Sequence, residues 1–190
     1  MPNPKESEFT QGVNPLCQND ELWTARDEQS SEDEVNDFLY ALVRLIKPQF
    51  IVETGCYLGD GTIAMAKALQ KNGVGGMITC DVIEERVNAV KTRILREGLE
   101  KVADVILMTG EELIKQIGAQ IDFAFIDSSP LGKVRGAEIK ELLKHLRPGK
   151  MFALHDTAPQ HEQINAVARS VDLPSVYFNT PRGLTLFMKE

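Results

Sequence analysis

Short apolar runs rich in β-branched residues recur along this chain, and five of them are each followed by a stretch with helical periodicity. The run entering at Phe50, Ile51 and Val52 precedes "TIAMAKAL"; "GMITCDV" precedes "EERVNAVKTRILREG"; "DVILMTG" precedes "EELIKQIG". "IDFAFID" then precedes "GAEIKELLKHL", and "MFALHD" precedes "HEQINAVARSV". Such alternation predicts a parallel sheet covered by helices on both faces. The last two runs, "PSVYFNT" and "LTLFMKE", are separated only by "PRG" and predict a hairpin. That hairpin puts one antiparallel strand into the sheet. Before the first strand, "SSEDEV" predicts a helix start, with Ser31 as cap and Glu34 completing a capping box. Val35, Phe38, Leu39, Leu42, Val43 and Ile46 fall on one face of that helix, and Pro48 ends it.

Open parallel sheets bind ligands outside the carboxyl ends of their strands, near the point where strand order reverses. In this sequence those ends read Glu53-Thr54-Gly55, Asp81, Gly110-Glu111, Asp127 and His155-Asp156. An acid at one strand end is ordinary, because strands give way to turns and helix starts there. Acids at four or five of the five, in register with a glycine turn, predict a site. The turn is "IVETGCYLGDGT", whose glycines Gly55, Gly59 and Gly61 run G-x-x-x-G-x-G. A dinucleotide fingerprint needs G-x-G-x-x-G, and Tyr57 stands where its second glycine belongs. Glu53, two residues before the first glycine, repels phosphate and suits a cationic ligand.

The 190 residues suffice for one domain with a sizeable core. The formal charge of −7 disfavours nucleic acid as the main partner. No apolar run approaches the roughly 20 residues of a membrane span. The N-terminus lacks the pattern of a secretory signal, and three cysteines without metal spacing read as reduced thiols, which predicts a cytoplasmic protein. Residues 1–28 are polar and proline-punctuated, and are expected to form an arm or substrate-side lid, partly disordered, ahead of a domain spanning 29–190.

"VETGCYLGDGT" resembles the first motif of class I S-adenosylmethionine-dependent methyltransferases, closest to the catechol O-methyltransferase-like branch that acts on small molecules. "TGEEL", "FAFIDSSP", "LRPGKMFALHDT" and the terminal hairpin resemble that family's later motifs, in order. The resemblance implies an α/β, Rossmann-like, doubly wound sheet of seven strands, mostly parallel. It implies S-adenosylmethionine as cofactor, held by Glu53, Gly55, Tyr57, Gly59, Thr62, Asp81, Gly110, Glu111 and Asp127. Asp81 is the acid expected to accept from the ribose hydroxyls. The implied activity is methyl transfer to a hydroxyl of a small metabolite, and the family allows a homodimer.

In that branch two Asp residues and an Asn hold a divalent cation that acidifies the acceptor hydroxyl. Asp127 and Asp156 match the two Asp positions, which predicts Mg²⁺ or another divalent cation between them. Thr157 stands where Asn is usual, and Ser129 where a lysine is usual. His155 is therefore a candidate base or ligand, giving an expected catalytic set of His155, Asp127 and Asp156. His145 and His161 read as surface residues. Trp23 is expected near the acceptor pocket or pinning the arm. A nicotinamide-dependent oxidoreductase and a non-catalytic cofactor-binding module are the alternatives.

Overall fold

The computed structural model describes residues 14–118 and 120–190, so the first part of the expected arm, including its proposed disorder, lies outside the described residues. Seven strands form one sheet in the order β3-β2-β1-β4-β5-β7-β6. These are β1 (Phe50–Thr54), β2 (Gly76–Asp81), β3 (Ala103–Leu107), β4 (Ile121–Ile126), β5 (Leu146–His155), β6 (Ser175–Phe178) and β7 (Leu184–Met188). The first five run parallel, and β7 is antiparallel to both β5 and β6. This is the doubly wound, Rossmann-like arrangement with one antiparallel hairpin strand that the sequence predicts. Strand order reverses between β1 and β4, so the carboxyl ends of those two strands flank the switch point.

Among the described residues, six α-helices cover the sheet: α1 (Asp33–Ile46), α2 (Asp60–Asn72), α3 (Glu84–Arg96), α4 (Gly110–Gln116), α5 (Gly132–His145) and α6 (Glu162–Ser170). Alternate strand residues feed two separate cores, as a two-residue period requires. Ile51, Phe123, Phe125 and Ala153 pack beneath α1, α2 and α3. Val52, Ala124, Ile126, Phe152 and Leu154 pack beneath α4, α5 and α6. β5 begins five residues earlier than "MFALHD" suggests, because Leu146 already pairs with Ile121; residues 147–150 then bulge out, with Gly149 at φ +73°, before pairing resumes between Met151 and Phe123.

The helix-start expectation at Ser31 is corrected. The cap of α1 is Glu32, without a side-chain capping bond. Ser31 Oγ instead donates to Asn36 Oδ1 at 2.9 Å, and Glu34 accepts from Thr24. The reciprocal capping box occurs at α4, between Thr109 and Glu112. Upstream of α1, the segment is laid across the domain by polar contacts. Asn14 Nδ2 donates to the Thr180 carbonyl at 2.7 Å, Arg26 forks onto Asp60 at 2.8 and 2.6 Å, and the Tyr57 hydroxyl meets Asp27 at 3.1 Å.

Candidate active site

The glycine turn leaves β1 where the chain must cross the end of β4. Gly55 has φ +82°, and a Cβ there would lie 2.4 Å from the Asp127 carbonyl oxygen. Only glycine allows that approach of two strand ends. Tyr57 and Asp156 also adopt left-handed backbone, at φ 46° and 60°. Both residues line one cavity at the sheet edge, where surrounding structure holds non-glycine backbone in a sparsely populated conformation.

Three cavities open along this edge. The first is lined by Gln29, Ser31, Glu53, Gly55, Gly61 and Asp127. The second shares Gly55, Tyr57 and Asp127 with it and adds Asp81, Arg86 and Ser128. The third, of about 230 Å³, lies between the arm and the hairpin turn, lined by Trp23, Asp27, Glu28, His161, Pro181 and Arg182. It shares the lining residue Ser30 with the first and Arg182 with the second.

The expected cofactor residues divide between these walls and their supports. Glu53 is 2% exposed and accepts from the Thr62 hydroxyl, so Thr62 holds the carboxyl. Burial raises the Glu53 pKa to about 7. Asp81 accepts from the amides of Tyr57 at 3.1 Å and Ile83 at 3.0 Å, which fixes both of its oxygens at the cavity edge. The Arg86 guanidinium lies 4.6 Å over the Tyr57 ring and bonds Gln29, closing the arm over the turn. Gly59 caps α2 against Val90 and stands behind the wall. Gly110 is buried against Thr54 and Glu138, and Glu111 points outward to Lys115 at 2.6 Å. Neither lines the three cavities.

The expected catalytic residues form a buried ionic cluster. Arg135, on α5, is 2% exposed and its Nη2 donates to Asp127 Oδ1 at 3.0 Å and Asp156 Oδ2 at 2.7 Å. Its Nη1 reaches the His155 carbonyl at 2.6 Å. Arg182 Nε donates to Asp156 Oδ1 at 2.7 Å. His155 lies between Asp127 Oδ2 at 3.1 Å and Glu32 Oε2 at 2.8 Å. Burial alone would lower the His155 pKa, but the carboxylates of Asp127, Asp156 and Glu32 outweigh it and raise the value to about 10. Burial would likewise raise Glu32, yet His155 holds it at about 2. Asp156 is held well below the usual carboxylate range, because Arg182, His155 and Arg135 overcome its burial. His155 is thus an imidazolium with both nitrogens donating, and it offers a lone pair neither to a proton nor to a metal.

The donor set Asp127, His155 and Asp156 is close enough for a cation, with one ligand atom from each within 4.8 Å of the others. It does not fit one chemically. All four carboxylate oxygens already accept from a guanidinium or the imidazolium. Three acids, Glu32, Asp127 and Asp156, face three cations, His155, Arg135 and Arg182, so a divalent ion would leave the cluster with excess positive charge.

Sequence reasoning missed Glu32, Arg135, Arg182 and His161. Arg135 did leave a signal: it precedes Ile139 and Leu142 by four and seven residues, on the buried face of α5. An arginine on an apolar stripe needs a buried partner. Arg182 in a turn and Glu32 before a helix leave none. His161, read as a surface residue, is largely shielded, lines the third cavity and sits 3.8 Å from Asp156 Oδ1.

Comparison with curated proteins gives no match. Among solved structures, the Podospora anserina methyltransferase PaMTH1, crystallised with S-adenosylhomocysteine, superposes with a TM-score of 0.75 at 15% identity, covering 100% of this chain and 98% of that one. The O-methyltransferase from Bacillus cereus, also with S-adenosylhomocysteine, gives 0.72 at 20% identity over 98% and 92%. TomG, an O-methyltransferase of tomaymycin synthesis from Streptomyces achromogenes, crystallised with S-adenosylmethionine, gives 0.72 at 16% over 86% and 83%. These similarities establish the methyltransferase fold. Residues 52–157, from β1 through the end of β5, match the family model described as a methyltransferase domain, and the chain belongs to that family.

Proposed function

We propose that the protein transfers a methyl group from S-adenosylmethionine to a hydroxyl of a small acceptor held between the arm and the terminal hairpin. One observation supports this reading: the third, larger cavity shares the wall residue Ser30 with one cavity at the glycine turn and Arg182 with the other, so the two kinds of space adjoin. A cofactor on Glu53, Gly55 and Asp81 would then face an acceptor beside Trp23 and His161. The O-methyltransferase neighbours support oxygen as the acceptor atom. The charge of −7 supports a small molecule over nucleic acid. The reading keeps a cytoplasmic location and a homodimer as the assembly.

His161 is the only imidazole lining the acceptor cavity among the described residues. Burial lowers its pKa, and the positive charges of Arg182, His155 and Arg135 act in the same direction against the carboxylate of Asp156. The neutral ring can take the acceptor's proton. The acceptor oxygen then bonds to the methyl carbon in line, and the S–C bonding pair leaves with sulfur as S-adenosylhomocysteine.

Calorimetric titration with S-adenosylhomocysteine tests the donor half. Binding is expected in the micromolar range, weakened by about 1.5–3 kcal/mol in Asp81→Ala, the scale of hydrogen bonds to a charged group. Absence of binding to the native protein overturns the reading. Transfer of labelled methyl from S-adenosylmethionine to a panel of phenols and hydroxy acids tests the acceptor half, and turnover of any member excludes a binding-only module.

A further inference from the structure

We propose that Arg135, with Arg182, permanently fills the place between Asp127 and Asp156 where related enzymes of this reaction would hold a divalent cation, so that the chain's own guanidinium groups organise the site and methyl transfer is metal-independent. The proposal rests on the reading of the site as a methyl-transfer centre.

The geometry leaves no vacancy for an ion. A hard divalent ion needs oxygen ligands with lone pairs directed at it, and retains waters around them. Asp127 and Asp156 present four oxygens, and each accepts a charge-assisted bond: two from Arg135, one from Arg182 and one from His155. The cation that spans the two aspartates is nearly solvent-free and cannot swing out easily. Arg135 Nε donates to the Ser129 carbonyl and Nη1 to the His155 carbonyl, so the guanidinium is tied to both strand-end loops as well as to both acids. Arginine cannot lose its proton to make room. Without a cation, two facing carboxylates would repel and one would protonate. The guanidinium removes that repulsion, as a metal would, and at the same time sets the spacing of the β4 and β5 ends.

Arg182 does a second task. Its Nη1 bonds the Glu28 carbonyl at 2.7 Å, and its amide donates to Glu32 Oε1 at 2.9 Å. The hairpin turn, the arm and Asp156 are thereby joined through one side chain. Arg135 and Arg182 are positioning residues, acting through the aspartates and the arm.

The discriminating experiment is Mn²⁺ titration followed by electron paramagnetic resonance, on protein saturated with S-adenosylhomocysteine. The native protein is expected to leave the signal of free Mn²⁺ undiminished at millimolar concentrations. Arg135→Ala exposes two carboxylates and is expected to take up about one Mn²⁺ per chain, whereas Arg135→Lys, which keeps a cation, takes up much less. Stoichiometric Mn²⁺ binding by the native protein overturns the proposal, whatever the variants do, so a variant that fails to fold does not shield it. Loss of native methyl transfer in excess chelator, restored by Mg²⁺ or Mn²⁺, overturns it equally. Calorimetry on the same sample separates the two readings. If S-adenosylhomocysteine does not bind, the methyl-transfer reading fails, while the Mn²⁺ result still decides the occupant of the carboxylate pair.

Discussion

The Glu32 carboxylate lies 2.8 Å from His155 Nε2, although 123 residues separate them. This contact locks the segment ahead of α1 onto the end of β5, and both groups are buried. Removing one partner of a buried ion pair leaves an uncompensated charge, typically at a cost of about 3–5 kcal/mol. Glu32→Ala is therefore expected to lower folding stability by that order, with a visible fall in thermal midpoint. Chemical denaturation of the variant at pH 7 measures it; a loss within experimental error would show that the pair contributes nothing.

The pKa shifts set the pH profile of stability. His155 binds its proton more tightly folded, at about 10, than at its usual value near 6.5. Its contribution is complete below about pH 6.5 and is lost as pH rises through about 10. Glu32 is lowered from about 4.5 to about 2, so its contribution is present above about pH 4.5 and disappears as pH falls through about 2. Glu53, raised to about 7, favours the fold when protonated and costs stability as pH climbs from about 4.5 through 7. Stability is expected to peak on the acidic side of neutrality and decline steadily towards pH 10. Urea midpoints measured from pH 4 to pH 10 check this, and a plateau from pH 7 to pH 10 would contradict it.

With the cofactor on Glu53, as proposed, its binding is expected to be linked to release of a proton. With a pKa of about 7 Glu53 is about half protonated at pH 7. A cationic sulfonium or ammonium beside it favours the carboxylate, so binding S-adenosylmethionine should release up to about half a proton. Titrations in buffers of different ionisation enthalpy give that number directly. Glu53→Gln should abolish the buffer dependence, and a native enthalpy indifferent to buffer would exclude the coupling.

Trp23 lines the cavity assigned to the acceptor, on an arm segment stapled to the domain through Arg26, Asp27 and Arg182. Its emission is expected to shift when an acceptor enters and to respond less to S-adenosylhomocysteine alone. It is the only tryptophan, so the signal has a single source. Emission unchanged by every accepted substrate would leave Trp23 as a pin for the arm.

The order of strands and helices was legible because each element advertises itself locally. Alternating faces of β1 and β4, and the apolar stripe of α1, follow from periods that a short window reveals. The glycine turn was legible for the same reason, since Gly55 answers a backbone demand at one point in the chain. The acids at the strand ends were legible because a parallel sheet gathers its carboxyl ends along one edge. What stands between those acids was not. Arg135, Arg182 and Glu32 reach the cluster from a helix, a hairpin turn and the segment before α1, across separations of 21, 26 and 123 residues. The same carboxylate pair reads as a metal site when its neighbours are unknown and as an arginine site when they are present. His155 and His161 exchanged expectations for that reason too. Six positions apart on one chain, one is enclosed by carboxylates and stays charged, while the other faces a cavity beside cations and stays neutral. Side-chain type is local, but charge state is set by every group within a few ångströms, and only the folded chain decides which groups those are.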